Sequence, residues 1–164
     1  MNSKKLFIWG FLFVSVIGSL LHFVYEWSGN NSIVRLFAPW NESTWEHMKL
    51  LFFPMLVLVL FLFFKLPEQS PIPVALSIGT LVGLALIPIL FYTCTGVLGF
   101  SVMAIDIAIF YISVLGVFLT GWFLKDNRKL ANRSGLLLTC LVILAILFFI
   151  FSYYPPEIGL FQEP

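Results

Sequence analysis

Charge is what this sequence has least of. Nine Lys and Arg and eight Asp and Glu make up 10% of its 164 residues, where a water-soluble domain carries about 25%. Hydrophobic residues make up 60%, and the mean hydropathy is +1.02. Such a chain cannot cover itself with a water-compatible surface, so a membrane is its expected environment. The net charge of +1 leaves no basic surface for a phosphate backbone, which excludes nucleic acid as a partner. Cysteine is nearly absent too. Cys94 and Cys140 stand alone, without the spacing of a disulfide framework or a thiolate metal site, and each reads as a small apolar residue. Also missing are the His-Glu-x-x-His zincin motif, the Walker A loop, the glycine-rich dinucleotide loop and the Gly-x-Ser-x-Gly elbow. No catalytic signature is complete.

What the chain does have is apolar length. At about 20 apolar residues per span, five spans and short loops use up the sequence, as a single transmembrane domain over 1–164. The expected spans are 6–26, 43–64, 73–92, 101–123 and 135–153. The first follows a short basic leader, as a signal peptide would, but its length and the lack of a small-x-small cleavage site before His22 point to an uncleaved helix. Ser43-Thr44-Trp45-Glu46 fits a capping box, in which the hydroxyl and the carboxylate satisfy backbone N–H groups reciprocally at the start of the second helix. Pro54 removes one backbone hydrogen bond within that helix and is expected to kink it. The uncharged stretch 93–100 reads as a loop after the third span. The fold class is therefore all-α, a five-helix membrane bundle.

Charge orients it. With the N-terminus inside, Lys4, Lys5, Lys65, Lys125, Arg128, Lys129 and Arg133 all lie on the cytoplasmic side. That is seven of nine basic residues, as the positive-inside rule requires for short loops, and it puts the C-terminus outside. The basic loop 125–133 would also attract anionic membrane lipids.

The remaining polar groups concentrate in 21–54, which holds both histidines, three of the eight acidic residues and three of the five tryptophans. A charge at a helix centre in lipid costs about 2.5–3.5 kcal/mol on insertion scales, so these groups need partners. His22 and Glu26, four apart, share one face of the first helix. Glu42 and Glu46 share a face at the start of the second, with His47 about 100° round. Asp106 lies about 8 Å below the start of the fourth span. All six fall at similar depth, which predicts that the first, second and fourth helices are mutual neighbours with these side chains pointing inward. Imidazole and carboxylate are ordinary ligands of a divalent metal ion such as zinc. His22, Glu26 and His47 are the candidate metal ligands, and Glu46 or Glu42 is the candidate general base for a metal-bound water. Asn41, Lys49, Arg35 and Asp106 complete the candidate polar pocket.

Each residue also has a plainer role. Glu46 can be only the capping carboxylate, or a partner for Lys49 three residues on. Glu42 can serve the helix dipole, and His22 can bond a neighbouring helix. Tyr25, Trp27, Trp40 and Trp45 read as interfacial anchors. Asp106 needs a partner that Arg35, His22 or His47 would supply. The segment 30–40 is too apolar for a free linker, and is expected to dip into the interface or fold over the pocket.

The segments YEWSG (25–29) and NESTWEHMK (41–49) resemble a family of small bacterial multi-pass membrane proteins known as a domain of unknown function. The resemblance is specific over 21–54. It implies a cell-membrane protein of about five helices, and no activity, cofactor or substrate.

Two functional classes stay open. One is a binding, transport or accessory protein whose polar pocket handles a cation or a proton. Five helices are few for a transport path, which would call for a homo-oligomer or a membrane-protein partner. The other is a metal-dependent hydrolase or transferase acting on a lipid-like substrate at the outer leaflet.

Overall fold

The helices follow from the apolar runs and from the residues that stop them. A computed structural model describes residues 2–163, with five long helices: α1 (Ser3–Trp27), α2 (Thr44–Lys65), α3 (Ile72–Leu98), α4 (Met103–Leu124) and α5 (Ser134–Tyr153). No strand occurs among the described residues. All five are long and apolar enough to cross a membrane.

The stops are chemical. Asn2 caps α1, its side chain accepting from the Lys4 N–H at 2.9 Å. Beyond Trp27 the chain leaves the helix through Gly29 and Asn30, at φ 70° and 61°, a left-handed turn that Gly and Asn tolerate best. The third helix runs beyond the expected end at 92 to Leu98, where Gly99 at φ 79° closes it. The threonines that read as loop residues bond their own helix instead: the Thr93 and Thr95 hydroxyls donate to the carbonyls of Ile89 and Phe91, at 2.6 and 2.8 Å. A hydroxyl satisfied this way can stay helical in lipid.

Helices α1 to α4 form a ring in which each packs on the next and α4 returns to α1, while α5 lies outside against α3 and α2. The closest seam is α3 with α4, where Gly79 and Gly83 bring the backbones together; a Cβ on Gly79 would strike the Val117 carbonyl. At the α1–α2 seam, Pro54 has no N–H to offer the Leu50 carbonyl four residues back. Gly18 of α1 packs there, and a Cβ on it would lie 2.5 Å from the Leu50 oxygen. The aromatic core links α2 to α5: Phe52 meets Phe148 and Phe53 meets Phe149, with ring centroids 4.9 and 5.8 Å apart.

The 30–40 segment packs down on this core. It forms one turn of 3-10 helix (Val34–Leu36), buries Ala38, and sets Phe37 against Phe53 and Phe149. Trp45 is not an interface anchor. It is buried against Phe148, Phe151 and Phe161, because the C-terminal turn (Gly159–Phe161) folds back over the start of α2.

Candidate functional site

One end of the ring gathers the C-termini of α1, α3 and α5 and the N-termini of α2 and α4. There the side chains of His22, Glu42 and His47 converge, with one ligand atom from each lying within 4.8 Å of the others. The two imidazoles face each other across the α1–α2 seam, ring centroids 5.3 Å apart. His47 Nε2 lies 3.3 Å from Glu42 Oε2. Its other nitrogen, Nδ1, is 3.0 Å from the Ser43 carbonyl oxygen. A carbonyl only accepts, so Nδ1 carries the proton. His47 Nε2 then points either a second proton or a bare lone pair at a carboxylate. His22 Nδ1 is buried with no hydrogen-bond partner among the described residues. The His47 imidazole beside Glu42 holds that carboxyl below its ordinary range, with burial opposing and the charge of His22 adding to the effect.

The start of α2 holds Glu42 and His47 in place, but not by the full capping box. Ser43 accepts from the Glu46 N–H at 3.4 Å, as expected. The reciprocal bond comes from Asn41, not Glu46: Asn41 Oδ1 accepts from the Ser43 N–H at 3.2 Å and from its hydroxyl at 2.8 Å.

Glu46 is turned to a second centre. Its Oε2 lies 2.6 Å from Lys49 Nζ, in a pair 2% and 0% exposed, and it accepts from the Trp40 N–H at 3.4 Å. Lys49 spends its other donors on the Arg35 carbonyl, at 2.9 Å, and on the Ser152 hydroxyl. Arg35 donates to the Ser152 carbonyl and stacks on Trp40, 3.7 Å from the ring centroid. Four segments of chain are joined here: the 34–36 turn, Trp40, the first turns of α2 and the end of α5.

The other candidates lie outside the three-residue group, though Asp106 is close enough for its charge to act on His47. Glu26 is exposed and outside it. Asp106 sits in the first turn of α4, where the helix dipole favours it, and accepts from the Ser101 hydroxyl at 2.9 Å. The mutual contact expected of α1, α2 and α4 is only partly present. Helix α1 touches both others, but α2 and α4 face each other across the ring. Nothing in the sequence marks Ser152, because a lone serine in an apolar run gives no signal of a buried lysine 103 residues away.

Five membrane-length helices around a small polar end define a multi-pass helical membrane protein. The chain belongs to the family described as "Family of unknown function (DUF6512)", which it matches over residues 1–164. No curated protein and no solved structure matches it.

Proposed function

We propose that this protein binds a divalent transition-metal ion, such as zinc, through His22, Glu42 and His47, in a binding, transport or accessory role at the cell membrane. The observation that carries this is the His47–Glu42 contact. With Nδ1 committed to a carbonyl, something positive must sit between Nε2 and the carboxylate, either a proton or a metal ion. Two ligands about 2.0–2.1 Å from a tetrahedral zinc lie about 3.3–3.4 Å apart, and the observed separation is 3.3 Å. The Nδ1–carbonyl bond is the orienting contact that metal-bound histidines ordinarily make. The partnerless His22 Nδ1 belongs to the third ligand, and a small turn about its broad ring torsion would close the remaining distance.

Three protein ligands leave a fourth position open. An open position suits an ion that must be released or handed on. It also suits a metal-bound water, so the donor set favours a second reading as a hydrolase or transferase of a lipid-like substrate. Glu46 is a poor base for that chemistry, because its Oε2 is paired with Lys49 and it lies outside the His22–Glu42–His47 group. Binding is therefore the leading reading. With the N-terminus in the cytoplasm, the site faces the outer leaflet.

Metal analysis of the purified protein tests this beside a His22→Ala/His47→Ala variant of unchanged elution profile. About one divalent ion per chain, lost in the variant, is the expected result. No stoichiometric uptake on adding zinc would leave a proton between Glu42 and His47, and the metal reading would fall.

A further inference from the structure

The end of the ring away from these residues carries a different feature. Between α1 and α4 runs a groove of about 260 Å³, lined by Phe7, Phe11, Leu115, Phe118, Leu119 and Trp122 among others, and almost wholly apolar. From Leu115 to Trp122 it covers about 10 Å of helix at 1.5 Å per residue. That is roughly two-thirds of the depth of one leaflet, taking the hydrocarbon core as about 30 Å. The groove is open along its side rather than enclosed, so a lipid chain can enter it from the bilayer. A single extended hydrocarbon chain fits.

The mouth of the groove is basic. Phe7 and Trp122 close that end, rings 5.3 Å apart. One turn further out on the same faces come Lys4, which precedes Phe7 and Ile8 by three and four residues, and Lys125, which follows Trp122 by three. The Lys125 ammonium lies 4.3 Å over the Trp122 ring. It also pairs with Asp126, which is 84% exposed and lies on the water side. An ammonium has three donors, so Lys125 keeps donors for a second anion.

We infer that this groove is a binding site for one anionic phospholipid, an acyl chain lying between α1 and α4 and the phosphate held by Lys4 and Lys125. The apolar lining selects a hydrocarbon chain, and the two lysines select a net negative headgroup over a zwitterionic one. Such a site differs from general attraction to a basic loop because it has two separable parts. The chain pocket can be filled while the charge is kept, and the charge can be removed while the pocket is kept.

Native mass spectrometry of the full chain, released from micelles holding equal phosphatidylglycerol and phosphatidylcholine, reads both parts. Wild type is expected to retain phosphatidylglycerol several-fold over phosphatidylcholine. Lys4→Gln/Lys125→Gln should bring that ratio near one. Leu119→Trp, at a half-exposed lining position, should fill the groove and remove most bound lipid of either kind. Arg128→Gln/Lys129→Gln, which removes as much charge from the adjacent loop, should leave the ratio unchanged. Equal retention by wild type overturns the inference. So does a Leu119→Trp protein that keeps its phosphatidylglycerol, or a loop variant that loses selectivity as fully as the groove variant, since either outcome means diffuse charge rather than a site.

Discussion

The Lys49 ammonium lies 2.6 Å from Glu46 Oε2 with neither side chain open to solvent. Three residues apart, the two meet on one face of α2, and the same lysine holds the Arg35 carbonyl and Ser152. A buried pair of this kind adds little over apolar residues of similar volume, but breaking it from one side strands a charge.

The consequence separates pairing from capping. A carboxylate that only capped α2 would be replaceable by Gln. Glu46→Gln is instead expected to cost about 3–5 kcal/mol, the usual result of removing one partner of a buried pair. Glu46→Leu/Lys49→Met should recover much of that loss. Thermal unfolding in detergent checks both, and a wild-type midpoint for Glu46→Gln would remove the pair from any account of stability.

Gly18→Ala bears on the candidate metal site at a distance. The new Cβ would sit 2.5 Å from the Leu50 oxygen and 2.6 Å from the Phe110 ring, and neither a helix backbone nor a ring held between helices yields easily. A loss of about 1–3 kcal/mol is expected, as for other overpacked cores. His22 lies one turn beyond Gly18, and His47 three residues before Leu50, so parting this seam separates the two imidazoles. Metal content should fall along with the unfolding midpoint. A variant that is destabilised but keeps its full metal content would show that the seam does not set the His22–His47 spacing.

How much of this could be read beforehand follows from what hydropathy encodes. Depth is legible, because apolar runs and polar ends mark where each helix meets the interface. That is why His22, Glu42 and His47 could be placed at one level. Position around the bundle is not legible, because these helices are apolar on every face and carry no stripe to aim them. Depth alone groups α1, α2 and α4, but α2 and α4 lie across the ring from each other. Glu26 fails to join the group for the same reason: four residues from His22, it shares the level but points outward. The 93–100 stretch misled through its threonines, whose hydroxyls are polar in composition yet spent within the helix.

The topology expectation gains from the two basic residues that disagree with it. Arg35 and Lys49 are the exceptions to placing all nine Lys and Arg at one end, and neither behaves as a free loop cation. Lys49 is fully buried with three partners, and Arg35 is tied to the Ser152 carbonyl and stacked on Trp40. The positive-inside rule counts basic residues in short loops and near helix ends. Cations consumed by pairing inside the fold weigh little against the seven at the other end. Reporter fusions placed after Lys129 are therefore expected to be active in the cytoplasm, and fusions following Pro164 outside it. A cytoplasmic signal from the second set would reverse the bundle in the membrane and move His22, Glu42 and His47 to the inner face. The proposed ion would then be drawn from the cytoplasm.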